Sequence, residues 1–87
     1  MSAAGVRQRL EKRRADLVRA FVAGYGGRLR FSDRMKTFGP SMHEDRPRWI
    51  AFLSIFGHDT TGEGRTKDEA AAAAAGNLPE QYRKHFS

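Results

Sequence analysis

The sequence predicts a two-layer α+β sandwich in the order helix, strand, strand, strand, helix, with a three-stranded antiparallel sheet carrying both helices on one face. Three observations lead there. Val6, Leu10, Leu17 and Phe21 fall near one helical stripe, which Val18 and Val22 widen. Leu29 and Phe31 alternate with polar neighbours, and Trp49 to Phe56 is nearly all β-branched, aromatic or aliphatic, so both stretches read as strands. Thr66 stands three residues ahead of Glu69 and opens an alanine run that closes on Gly76, the pattern of a capped helix.

Each element has its own local reason. Met1 to Gly5 are small and polar and predict no order. The first helix is firmest from Ala15 to Ala23. Residues 1–14 read as a basic extension, part helical and part flexible, with Arg7, Arg9, Lys12, Arg13 and Arg14 off the apolar stripe. Gly24 is expected to stop the helix, and Gly26-Gly27 to turn the chain. A strand follows over Arg28 to Met35, and Thr37 to Arg48, with Gly39-Pro40 and Pro47, reads as a loop. After the strand from Trp49 to Phe56, Gly57-His58-Asp59 reads as a turn. Thr60 to Gly64 then makes a short return strand with no large apolar side chain. At the next helix the Thr66 hydroxyl accepts from the Glu69 N–H, while the Glu69 carboxylate reaches back to Thr66. That helix ends near Gly76-Asn77, Pro79 starts one more turn through Tyr82, and Arg83 to Ser87 reads as a loose tail. The domain proper is residues 15–78, and 79–87 is a short C-terminal tail.

Composition bounds the function. Eighty-seven residues make one small domain, and 39% hydrophobic against 30% charged residues supplies enough apolar material for a core. Cysteine is absent, which removes disulfides and thiolate ligands. No apolar run approaches the roughly 18 residues of a membrane span and the start lacks a signal-peptide core, so an intracellular protein, cytoplasmic or nuclear, is expected. The net charge of +6 points to a polyanionic partner, against the plain alternative of a small domain that is simply basic. Residues 1–48 hold twelve Lys and Arg against five Asp and Glu, and residues 49–87 hold four against five, so the basic surface belongs to the first half. There are no paired carboxylates, no cysteine nucleophile and no histidines at metal spacing, and Gly62-x-Gly64 lacks a phosphate-loop lysine. A non-catalytic binding module, without metal, cofactor or small-molecule substrate, is expected.

Four stretches in order resemble the double-stranded RNA-binding domain (dsRBD) family. Leu17 and Phe21 look like the apolar positions of its first helix, and Gly39-Pro40-Ser41-Met42-His43 is similar to its G-P-x-H loop. Trp49 to Gly57 matches its strand that begins with an aromatic and ends in glycine. Gly62 to Ala70 resembles the G-x-G-x-[ST]-K-K-x-A-K stretch that opens its last helix. The resemblance covers about Ala15 to Leu78 and implies the same α-β-β-β-α fold. It also implies recognition of duplex RNA by shape, with the first helix in one minor groove and the Pro40–His43 loop in the next. The last helix start would face the phosphates between them.

On that reading the RNA-binding residues are Arg13, Arg14, Arg19, Pro40, His43, Arg65 and Lys67, with His43 meeting a 2′-hydroxyl; a loop histidine without a role is the alternative. The chain departs from the family where phosphate contact is made. The helix start reads Lys67-Asp68-Glu69-Ala70-Ala71, which keeps one of three family lysines and adds an acid, so reduced affinity is expected. The loop carries one extra residue before His43, and the third strand is more polar than usual.

A second surface follows from strand parity. With Trp49, Ala51, Leu53 and Ile55 toward the helices, Ile50, Phe52 and Phe56 face outward beside Arg28, Arg30 and Arg34. Three readings stay open for this patch. In the first, the arginine stems lie over the rings. In the second, the patch is a protein interface, including a homodimer. In the third, single-stranded nucleic acid stacks on it. The alternative function is therefore a fold of this family used for protein association through its sheet face.

Overall fold

The computed structural model describes residues 3–34 and 47–86. Its elements are α1 (Ala3–Tyr25), β1 (Arg28–Asp33), β2 (Trp49–Ile55), β3 (His58–Gly64), α2 (Lys67–Gly76) and α3 (Glu80–Arg83), followed by a 3-10 turn over Lys84–Phe86. The sheet is antiparallel in the order β1-β2-β3, and the expected α-β-β-β-α architecture is the one observed. α2 lies on β2 and β3, while α1 packs against α2 and touches the β1 edge. Val18, Ala51, Leu53, Ile55, Ala70, Ala74, Ala75, Leu78 and Phe86 form the core between these layers.

The alanines of α2 and the glycines of β3 explain each other. Ala70, Ala71, Ala72, Ala74 and Ala75 are buried, as are Gly62 and Gly64. A methyl carbon on Gly62 would run into the backbone of Ala70, Ala73 and Ala74, and one on Gly64 would meet the Ala70 nitrogen at 2.5 Å. Helix backbone therefore sits directly on strand backbone. This is why β3 needs no large apolar side chain of its own, and it extends back to His58, two residues before the expected start. Thr60 Oγ1 donates to the Ala74 carbonyl at 2.8 Å, and Asn77 Nδ2 donates to the Thr61 carbonyl at 2.7 Å, fastening the two elements.

The Thr66 cap forms as the spacing predicts: its hydroxyl accepts from the Glu69 N–H at 3.0 Å. Replacing Thr66 with alanine should cost about 1 kcal/mol, lowering the melting temperature by about 4–8 °C in a domain of this size. A thermal melt followed by circular dichroism measures it.

Four details differ from the sequence reading. α1 is continuous from Ala3, and it runs through Gly24 to Tyr25. Gly26, at φ +71°, takes the left-handed position past the helix end, and the Gly27 N–H donates to the Val22 carbonyl at 3.0 Å, a Schellman closure. β1 ends at Asp33, and Met35 lies outside the described residues.

The β2–β3 turn is Phe56-Gly57, since Ile55 pairs with His58 and both turn residues have positive φ, +56° and +76°. A left-handed phenylalanine costs roughly 1–2 kcal/mol, and ring contacts offset it. Phe56 stacks on Tyr82 with centroids 4.8 Å apart and meets Phe21 edge-on at 6.2 Å. Finally, the tail is not loose. Phe86 is 2% exposed and its ring meets Phe21 at 5.1 Å, while Arg14 Nε donates to its carbonyl at 3.1 Å.

Candidate nucleic-acid interface

The start of α2 and one face of α1 are joined by charge. Arg19 on α1 donates to Asp68 in the first turn of α2 at 2.9 Å, and to Asp16 on its own helix at 3.3 Å. Asp68 therefore has a cationic partner, and both it and Glu69 sit where the helix dipole favours negative charge. With the Glu69 N–H capped, the N–H groups of Lys67 and Asp68 remain at the helix start, between exposed Arg65 and Lys67. Lys67 does not stand free in solvent. Its ammonium lies 4.9 Å from the centroid of Trp49 and 5.7 Å from that of Phe31, contacts worth about 0.5–1 kcal/mol at an exposed site. The rings hold the ammonium at the end of the sheet while leaving it accessible to an anion.

The long β1–β2 connection leaves from the same end. Asp33 pairs with Trp49 in register, Trp49 pairs with Gly64, and the Arg34 N–H donates to the Arg48 carbonyl at 2.8 Å, closing the base of the connection. Arg48 grips Asp33 through Nε at 3.0 Å and a terminal nitrogen at 2.9 Å, and its guanidinium lies 5.1 Å from the Trp49 centroid. The hydrogen bond to Asp33 holds the Arg48 pKa above its ordinary value. Arg34 donates to Glu63 on β3 at 2.7 Å. Pro40 and His43 belong to this connection and lie outside the described residues.

The remaining sequence candidates separate. At about 100° per residue, Arg9, Lys12, Arg13, Asp16 and Arg19 share an arc of about 120° on α1. Arg14 lies beyond that arc. It lines a depression with Ala75, Gly76, Glu80, Arg83 and Lys84 at the far end of α2, where it also bonds Phe86. Arg14 and Arg19 thus reach opposite ends of α2, and Arg14 serves the C-terminal turn rather than the α2 start. Arg19, Arg65 and Lys67 are the candidates that the fold brings to the α2 start, and Arg13 shares the arc of α1 that carries Arg19.

The outward sheet face is smaller than parity suggested. Phe52 is 41% exposed, flanked in register by Arg30 and Thr61, and Ile50 is half-buried between Ser32 and Glu63. Phe56 does not join them, because its left-handed backbone leaves the strand alternation and carries the ring into the Phe21–Tyr82 cluster. Ser54 donates to Asp59 on the same face. The residues that sequence reasoning missed are Trp49 and Phe31 as a seat for Lys67, and Arg19 as the partner of Asp68. The period-two pattern that placed Phe31 and Trp49 on the helix side was the signal available for the first; nothing in the sequence pointed to the second.

Among the described residues, no three His, Asp or Glu side chains gather as metal ligands, and no helix is long and apolar enough to cross a membrane. No protein-family model, curated protein or solved structure matches this chain.

Proposed function

We propose that the chain is a non-catalytic module of the double-stranded RNA-binding type that recognises duplex RNA by shape. The observation that carries the reading is the juxtaposition, through the Arg19–Asp68 bridge, of the cationic face of α1 with the α2 start bearing Arg65 and Lys67. Duplex RNA presents a wide, shallow minor groove lined with 2′-hydroxyls and flanked by phosphates. In this reading Arg13 on α1 meets one minor groove. Arg65, Lys67 and the free N–H groups of the α2 start meet the phosphates beside it, as helix N-termini do with anions. The β1–β2 connection, to which Pro40 and His43 belong, has its base at the same end of the sheet, and the family resemblance assigns it to the next groove. Asp68 and Glu69 oppose phosphate approach, and Arg19 screens the first of them. Affinity is therefore lower than a start carrying three lysines would give.

The inward turn of Phe56 leaves Phe52 and Ile50 as the apolar part of the sheet face, which favours this reading over association through that face. The test is amide chemical-shift mapping with a blunt RNA duplex of roughly 20 base pairs, longer than the ~16 such domains span. Shifts should concentrate at Arg13, Arg19 and Arg65 to Asp68. Shifts confined to Arg30, Ile50 and Phe52 would reject the assignment.

A further inference from the structure

α1 continues well past its packing. Ala15 and Val18 are fully buried, whereas Val6 is 46% and Leu10 60% exposed, and Arg9, Lys12 and Arg13 are all exposed. About two turns of helix, from Val6 to Arg13, therefore carry no core residue among those described. Helix without a packing partner is marginal in water, so this half of α1 is placed to gain from one.

The chemistry of that partner is set by charge. Arg9, Lys12 and Arg13 form no ion pair among the described residues, and Asp16, the acid on the same arc, is held by Arg19. These cations share an arc of about 120° on α1 with Arg19, which bonds the α2 start, and about 15 Å of helix separates Arg9 from Arg19. The exposed apolar residues beside them, Val6 and Leu10, fall far short of the roughly 20–30 residues each side contributes to a stable protein interface.

We infer that the N-terminal half of α1 is a phosphate-tracking arm, in which Arg9, Lys12 and Arg13 carry duplex-RNA contact beyond the body of the domain. This rests on the RNA reading of the neighbouring site, which already includes Arg13, and adds Arg9 and Lys12 to it. The arm makes the second half of the footprint electrostatic and sequence-independent, so its signature is in the salt dependence of binding.

The experiment compares three forms of the full chain by fluorescence anisotropy on the same RNA duplex at several salt concentrations. These are the unaltered protein, Arg9→Gln/Lys12→Gln/Arg13→Gln, and Arg65→Gln/Lys67→Gln. Glutamine keeps the helix propensity of the residues it replaces, and circular dichroism checks that the helix is retained. The arm variant should bind more weakly, with a salt slope shallower by about three. Arg9→Lys/Arg13→Lys should restore the slope, since charge and not a forked donor is what the track supplies. An arm variant with unaltered slope and affinity, beside a weakened Arg65→Gln/Lys67→Gln, would overturn the arm and the role of Arg13, and leave RNA binding at the α2 start standing. Absence of saturable binding by the unaltered protein would overturn both.

Discussion

Gly62→Val should unfold the domain more readily than any surface substitution described above. A side chain at this position has no flexible neighbour to displace. Its first carbon would fall 2.6 Å from the Ala70 carbonyl oxygen and 2.6 Å from the Ala73 carbonyl carbon, both helix backbone. Relief requires α2 to lift from β3, and that opens the seam of buried alanines and breaks the Thr60–Ala74 hydrogen bond. Overpacking a core typically costs 1–3 kcal/mol, and backbone clash places this case at or above the top of that range. In a domain of this size, about 3 kcal/mol lowers the melting temperature by about 12–24 °C. Gly24→Ala makes the related change inside α1, where an added carbon meets nothing within 4 Å. That variant should gain roughly 0.5–1 kcal/mol from helix propensity. Paired thermal melts separate the two signs. A Gly62→Val protein melting within a few degrees of the unaltered one would mean that α2 does not sit on the β3 backbone.

Arg65→Glu/Lys67→Glu should abolish saturable binding to duplex RNA while leaving the fold intact. On the RNA reading, each reversal removes a phosphate contact and adds a repulsive charge beside Asp68 and Glu69, so four acids would crowd one helix start. Neutral replacement of the same two residues should only reduce the salt slope by about two. The fold is insulated for a physical reason. Lys67 loses its contact with Trp49 and Phe31, about 0.5–1 kcal/mol. A glutamate at the first position of α2 gains about 0.3–1 kcal/mol from the helix dipole. The two nearly cancel, so lost binding cannot be attributed to unfolding. Phe52→Ser is the companion control. It lies on the outward sheet face, 41% exposed, and should leave RNA binding unchanged. If Phe52→Ser weakened RNA binding and the double glutamate did not, the binding surface would lie on the sheet.

Much of this architecture was legible because it is local. The Thr66–Glu69 spacing set the start of α2 to the residue, since a cap is a contact between neighbours in the chain. The parity of Trp49, Ala51, Leu53 and Ile55 gave the buried face of β2 correctly, and Ala51, Leu53 and Ile55 are within 3% of full burial. Parity failed one residue later, at Phe56, because a turn with both φ values positive takes the chain out of the alternation. A phenylalanine at that turn is not a turn signal. The distant rings of Phe21, Tyr25, Tyr82 and His85 account for it.

β3 gives little strand signal in the sequence, for a related reason. Its lack of large side chains reads as weakness in one dimension and as room for a helix backbone in three. The tail was misread because Phe86 is a lone apolar residue without periodicity, and its burial depends on Arg14 and Phe21, far away in sequence.

The site was legible in part. Arg65 and Lys67 were placed by the helix start they flank, and Arg13 and Arg19 by the helix that carries them. Arg14 differs from Arg13 by one residue, and one residue is about 100° of helix. That rotation sends it to the C-terminal turn. Asp68, an unfavourable charge when read alone, has Arg19 as its partner because α1 crosses the α2 start.

The measurement that tests the central claim most directly is fluorescence anisotropy of the full chain on a blunt RNA duplex of roughly 20 base pairs. A DNA duplex of the same sequence runs beside it, both at several salt concentrations. Saturable, salt-sensitive binding that prefers RNA is expected, because the minor groove and 2′-hydroxyls of A-form RNA are what the α1 face and the β1–β2 connection would read. No binding, or equally weak binding to the two duplexes, would contradict it.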